Sequence, residues 1–311
     1  MPLVNLKDML RHARTNGYAV GAYDVVDCSF LAAVIAGAEA AQAPVIVSFS
    51  ESHFAHYDFQ VLMAAAEVAT KKATVPIALF LDHGSSLESA VAAIRYGANG
   101  VMVDTSHLSF DDNLAAMSTA VTVAHAVGVP VEGELGCVPG NKGEEAASHR
   151  DEVRLTSPEE AAIYVRSTGV DFLAVSVGTI HGRLHSEPHL DFDRLAAISD
   201  AVGIPLVIHG GTGLSDEQFQ ALAARGVAKI NYYTALSDLA TAAATSAMES
   251  IQAGYTAGMD AVRLALANEV SRTCKVFGAA GRAEAVLASC HPWLGVQNLL
   301  LSKGAETADR R

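Results

Sequence analysis

Apolar residues cluster in short, β-branched runs at 19–24, 44–50, 76–83, 100–104, 130–136, 172–178, 205–211 and 227–233. Each is short enough for a strand, and runs such as Ile77-Ala78-Leu79-Phe80-Leu81 are apolar on both faces. That is the mark of a parallel sheet covered by helices on either side. Between the runs lie Ala-rich segments of helical length, among them 29–42, 58–73, 86–96, 111–127, 157–167 and 215–224. Two carry clear start signals: Ser157-Pro158-Glu159-Glu160 puts proline at the first helical position, and Ser215 with Gln218 has capping-box spacing. The alternation of strand and helix, repeated eight times in about 235 residues, predicts a closed (β/α)8 TIM barrel, with an open doubly wound sheet as the weaker alternative. We expect one barrel domain over residues 1–311, with additional C-terminal helices forming an extension over about 235–291. An all-helical appendix after a complete barrel suggests packing on a neighbour, so a homo-oligomer, dimer or tetramer, is expected.

In a barrel the catalytic groups stand at the carboxyl ends of the strands. Here those ends are polar. Strand three closes on Leu81-Asp82-His83-Gly84, strand four on Val103-Asp104-Thr105, strand five on Glu132-Gly133-Glu134-Leu135, strand six on Thr179-Ile180-His181-Gly182, strand seven on His209-Gly210-Gly211-Thr212-Gly213, and strand eight on Lys229-Ile230-Asn231. Three imidazoles from separate strands, with carboxylates nearby, suit a catalytic zinc with one open coordination position. A lone histidine is more often a hydrogen-bonded, partly buried side chain, but three at matching strand ends reverse those odds. Asp82 is then a proton-transfer group or a partner that orients a histidine. His185 and His189 read as surface loop residues, and the sequence leaves His53 and His56 undecided between the mouth of the barrel and a surface loop.

The Gly210-Gly211-Thr212-Gly213 run before a helix is either an anion cradle of backbone N–H groups or a tight turn, with Asn231 and Thr234 as further donors. The polar segment 137–154 is long for a βα loop and glycine-bearing, which marks a candidate lid carrying Glu144 and Glu145.

Composition narrows the partners. The net charge is −13 with no Lys/Arg cluster, which argues against nucleic acid, and no apolar run is long enough for a membrane span. Cys28, Cys137, Cys274 and Cys290 show no paired spacing, and residues 1–14 form a charged amphipathic stretch rather than a signal peptide. A reduced, cytoplasmic protein acting on a small molecule is expected.

From Leu6 to Arg282 the chain resembles the class II, zinc-dependent ketose-bisphosphate aldolases, in the branch of fructose- and tagatose-bisphosphate aldolases. The motifs that carry the likeness are LDHG at 81–84, VMVDTSH at 101–107, VEGELG at 131–136, GTIHG at 178–182, LDFDRL at 190–195, HGGTGL at 209–214, KIN at 229–231 and FGAAGRA at 277–283. The resemblance implies zinc held by His83, His181 and His209, with Glu134 and Asp104 flanking the metal and offering it an alternate resting position. It implies Asp82 as the acid/base at the carbon–carbon bond and a loop glutamate, Glu144 ahead of Glu145, as proton shuttle. Gly182, Gly210, Gly211, Thr212, Asn231 and Thr234 match the site for the ketone-side phosphate, with which a structural monovalent cation such as Na+ or K+ is often associated. The implied reaction is reversible cleavage of a phosphorylated ketose to dihydroxyacetone phosphate and an aldehyde.

Three departures bear on the substrate. Ala22-Tyr23-Asp24 stands where the family has Ala-Phe-Asn, Tyr232-Tyr233 stands in the strand-eight motif, and 251–255 lacks the stretch that brings an arginine to a second phosphate. A ketose 1-phosphate is therefore expected to rival the bisphosphate, unless a neighbour's arginine, such as Arg263, substitutes. Open alternatives are a Schiff-base aldolase using Lys229, a non-catalytic barrel serving as an assembly or regulatory subunit and, more weakly, a zinc hydrolase.

Overall fold

The computed structural model describes residues 2–136, 138, 154–182, 188–248 and 254–296. The candidate lid, with Glu144 and Glu145, lies outside the described residues apart from Val138 and Arg154, as does His185.

Eight parallel strands form a closed barrel in chain order: β1 (Val20–Asp24), β2 (Val45–Ser50), β3 (Ile77–Gly84), β4 (Gly100–Val103), β5 (Val131–Leu135), β6 (Phe172–Val175), β7 (Leu206–Ile208) and β8 (Val227–Asn231). Closure is made by β8 pairing with β1, Ala22 standing opposite Asn231. Apart from the half-buried Asn231, every strand residue is buried, as a sheet wrapped by helices requires. The (β/α)8 TIM barrel read from the sequence is the fold observed.

A helix follows each strand: α2 (Cys28–Ala41), α3 (Phe59–Lys72), α4 (Leu87–Tyr96), α5 (Phe110–Ala126), α6 (Pro158–Thr168), α7 (Phe192–Val202), α8 (Asp216–Ala223) and, after β8, α9 (Thr234–Met248). The start signals work as the sequence suggests. Ser157 caps α6 by accepting from the Glu160 amide with Pro158 behind it, and Ser215 and Gln218 form a reciprocal capping box on α8. The helix that the hydrophobic pattern does not single out is α7. Its start depends on Asp191, which accepts from the Arg194 amide.

Two further pieces complete the body. Before the barrel, α1 (Leu6–Thr15) buries Leu6, Met9, Leu10 and Ala13. The residues ahead of it bridge to Ile77 at the start of β3, which sets α1 across the amino ends of the strands. After the barrel, α10 (Gly254–Val276) lies along α2 and α9, and α11 (Ala283–Ser289) packs on α1. Tyr23 of β1 ties α10 to the barrel by a 2.7 Å hydrogen bond to Thr273. No helix among the described residues is long and apolar enough to cross a membrane.

Candidate active site

The carboxyl ends of the strands converge on one cavity, lined by Asp24, Asp82, His83, His181, Gly182, Gly210, Gly211, Thr212, Asn231, Tyr233 and Thr234. A larger groove of about 830 Å³ lies at the amino end, walled by Val91, Ile94, Tyr96, Val127 and Trp293. Its charged lining is Glu67, Lys71 and Arg95, with Lys71 paired to Glu67, and it has no imidazole, so the chemistry belongs to the first cavity.

Consecutive strand residues normally face opposite sides of a sheet, yet Asp82 and His83 both line the cavity. The pairing of β3 with β4 shifts register between Leu81 and Gly84, and His83 adopts φ +47°. Left-handed backbone at a residue other than glycine costs energy that the surrounding fold must hold in place. Here it sets a carboxylate and an imidazole side by side, with Oδ2 of Asp82 3.7 Å from Nε2 of His83.

His83, His181 and His209 come together with ligand atoms mutually within 4.8 Å. The outward nitrogen of each ring is taken. Nδ1 of His83 lies 2.8 Å from Oδ2 of Asp104, Nδ1 of His181 lies 3.0 Å from the Val138 carbonyl, and Nε2 of His209 lies 2.8 Å from Oε1 of Glu132. If each of these contacts carries the ring proton, Nε2 of His83, Nε2 of His181 and Nδ1 of His209 are left as lone pairs. Two of them, on His83 and His209, are 3.0 Å apart. Facing lone pairs repel unless a cation sits between them. Burial above all pushes His209 well below the ordinary imidazole value, so its ring is neutral, as a ligand must be.

The carboxylates match that reading. His83, Asp104 and Glu134 form a second group of potential ligands. Among the described residues the buried Oε2 of Glu134 has no hydrogen-bond partner, and it lies 3.9 Å from Nδ1 of His209. Burial above all raises Glu134 to about 7. A buried oxygen without a donor, beside three imidazoles offering lone pairs, is a donor set that fits a divalent metal, and three nitrogens suit zinc.

Asp82 stays ionised. Burial opposes its charge, but the ring of His83 and the ammonium of Lys229 outweigh it and hold the carboxyl below its usual value. Nδ2 of Asn231 donates to Oδ1 of Asp82 at 3.0 Å, so Asn231 orients that carboxylate while lining the cavity. Asp24 is different. Burial, then the neighbouring charge of Asp82, raises it to about 7.

Gly182, Gly210, Gly211, Thr212 and Thr234 border the same cavity. Gly210 has φ +71°, and a Cβ there would lie 2.3 Å from the Ile180 carbonyl oxygen, so only glycine fits this bend. Oγ1 of Thr212 accepts from the Ala235 amide at 3.3 Å, joining the β7 loop to the start of α9. A helix N-terminus edged by a glycine loop favours an anion. None of the described residues lining this cavity is Lys or Arg.

Several undecided residues now have places. His53 is buried and packs against Tyr233 with ring centroids 4.5 Å apart, whereas His56 and His189 are exposed. Tyr233 lines the cavity, but Tyr232 turns away and donates to Glu269 of α10 at 2.7 Å. Arg263 is paired with Asp260 on its own helix. Lys229 is fully buried and joined to Glu132 at 2.8 Å, with Phe80 4.1 Å away, which disfavours it as an imine-forming amine. The sequence reading names Asp24 and Glu132 but gives neither a role. Asp24 ends β1 as the other site residues end their strands, and Glu132 shares a strand face with Glu134 two residues on, so both signals were available.

Comparison with known proteins agrees with this geometry. The family model for class-II fructose-bisphosphate aldolase matches residues 4–282. A probable fructose-bisphosphate aldolase of Bacillus subtilis is 39% identical over 237 residues, covering 75% of this chain and 82% of the relative, and a fructose-bisphosphate aldolase of Staphylococcus aureus has the same identity and coverage. Among solved structures, the YdjI aldolase of Escherichia coli K12 superposes with a TM-score of 0.82 at 33% identity, over 90% of this chain and 99% of that one. A putative fructose-1,6-bisphosphate aldolase of Coccidioides immitis gives 0.80 at 30% identity, over 89% and 97%. The chain belongs to the class-II fructose-bisphosphate aldolase family, and is by that membership an aldolase, a carbon–carbon lyase.

Proposed function

We propose that this aldolase uses zinc, held by His83, His181 and His209, to cleave a phosphorylated ketose reversibly into dihydroxyacetone phosphate and an aldehyde. The observation that carries the reading is the convergence of three imidazoles, each tethered at its outer nitrogen, beside an ionised Asp82. When bound, the metal supplies Lewis acidity at the ketone carbonyl, which makes the carbon–carbon bond labile.

The chain's own groups do the rest. Asp82 takes the proton from the C4 hydroxyl during cleavage and returns it during condensation. Asn231 holds Asp82 in line for that transfer. Gly182, Gly210, Gly211, Thr212 and Thr234 bind the ketone-side phosphate through backbone N–H groups and the start of α9, with Asn231 at their edge and a monovalent cation such as Na+ or K+ beside the anion. Glu134 and Asp104 flank the metal position. Glu144, or its neighbour Glu145, moves the proton at the nucleophilic carbon. The working form is a cytoplasmic homo-oligomer, a dimer or tetramer.

A panel of ketose 1-phosphates and 1,6-bisphosphates, assayed for dihydroxyacetone phosphate release with and without chelator, tests the reading. We expect release that chelator abolishes and zinc restores. Chelator-resistant release with a borohydride-trapped adduct would overturn it in favour of an imine.

A further inference from the structure

Beneath the three imidazoles lies a buried chain of charges for which proton transfer and phosphate binding have no use. Lys229 and Glu132 are both completely buried, on β8 and β5, and their Nζ and Oε2 atoms are 2.8 Å apart. The other oxygen of Glu132, Oε1, lies 2.8 Å from Nε2 of His209. The ring of Phe80 faces the ammonium at 4.1 Å from its centroid. Two opposite charges inside a barrel core are expensive to desolvate, and apolar residues of the same volume are often as stable or more so. Stability alone therefore accounts poorly for this pair.

We propose that Lys229 and Glu132 are positioning residues for the metal centre: Lys229 fixes the Glu132 carboxylate, and Glu132 holds His209 with Nε2–H turned down and Nδ1 turned up to the metal. The geometry supports this order. Lys229 occupies one oxygen and His209 the other, so the carboxylate cannot rotate without breaking one bond. With Nε2 committed below, only Nδ1 of His209 is left to meet Nε2 of His83, 3.0 Å away. Outer partners of this kind set tautomer and ring orientation, and losing one typically weakens metal binding by about 10–100-fold. The inference rests on the metal-dependent reading above.

Cobalt-substituted protein tests it, because the visible Co²⁺ bands report ligand geometry and not merely folding. Glu132→Gln keeps the shape of the side chain and removes its charge, while Lys229→Met removes the clamp. In both we expect Co²⁺ affinity, measured by chelator competition, to fall about 10-fold or more, with altered visible bands. The Glu132→Gln/Lys229→Met double variant relieves the unpaired buried charge, so stability should recover while affinity stays low. Wild-type affinity and bands in Glu132→Gln, or in a double variant that also regains stability, would overturn the proposal and leave the pair as a structural filler. Should Lys229→Met fail to fold, the isosteric variant and the double variant still decide. Wild-type protein that binds no Co²⁺ would instead overturn the metal-dependent reading, and the inference with it.

Discussion

Nε2 of His83 and Nδ1 of His209 face each other across 3.0 Å, although the two residues are 126 positions apart in the chain. Each ring is held from behind by a carboxylate, Asp104 for His83 and Glu132 for His209. This opposition makes sense around a shared cation. Replacing His83, His181 or His209 by Ala should therefore lower zinc content and turnover together, measured by elemental analysis and cleavage assay on the same samples. Full zinc content in all three variants would place the metal elsewhere.

Asp82 and Asn231 should separate binding from chemistry. Asp82→Ala should retain zinc and fold but lose at least about 10²-fold in cleavage, as expected for a positioned acid/base. Asn231→Ala leaves Asp82 ionised but unaimed. Its kcat should fall about tenfold or more, the size of one hydrogen bond to a charged group. Unchanged kcat with raised KM in Asn231→Ala would mean that it serves only to bind phosphate.

Gly210→Ala should damage the anion loop. A methyl group there collides with the Ile180 carbonyl and forces a left-handed backbone on alanine. A stability loss of about 1–3 kcal/mol is expected. Affinity for inorganic phosphate, as a competitive inhibitor, should fall as well, and a variant with normal stability and inhibition would contradict the assigned geometry.

Asp24 gives a pH signature in chelated protein. Burial raises this carboxyl to about 7 from its usual 3.8, so it binds a proton more tightly folded than unfolded. Its contribution to stability is full below about pH 4 and is lost as pH rises through about 7. Asp24→Asn cannot titrate. The melting temperature of the wild type relative to Asp24→Asn should therefore fall between pH 5 and pH 8, and a constant difference would show that Asp24 is ionised throughout.

The absence of Lys and Arg from the described cavity lining bears on substrate choice. A phosphate gains much from a guanidinium partner, and the proposed ketone-side site would rely instead on backbone donors. A ketose 1-phosphate should compete with the matched 1,6-bisphosphate, measured as kcat/KM. A preference for the bisphosphate beyond about 10³-fold, roughly 4 kcal/mol, would require a second phosphate site.

Much of this molecule is legible in its sequence, and the limits are physical. The eight strands and three histidines stand out because burial on both faces and polar strand ends are local signals. His83 adopting φ +47°, which lets Asp82 and His83 share the cavity, is not legible, since nothing in the side chain of histidine requires it. Lys229 reads in isolation as a nucleophile. Its partner Glu132 is 97 positions away, and only the closed barrel turns the amine into a buried counter-ion. Asn231 reads as a phosphate donor for the same reason, while its amide holds Asp82 from 149 positions away.

The central claim is that three imidazoles hold a metal without which Asp82 cannot cleave the substrate bond. It is tested most directly by stripping the purified protein, reloading it with zinc in steps, and measuring dihydroxyacetone phosphate release from fructose 1,6-bisphosphate or the best ketose 1-phosphate at each step. The account predicts negligible release without metal and a linear rise that ends at about one zinc per chain, the capacity of a single three-imidazole site. Full release from demonstrably zinc-free protein would contradict it.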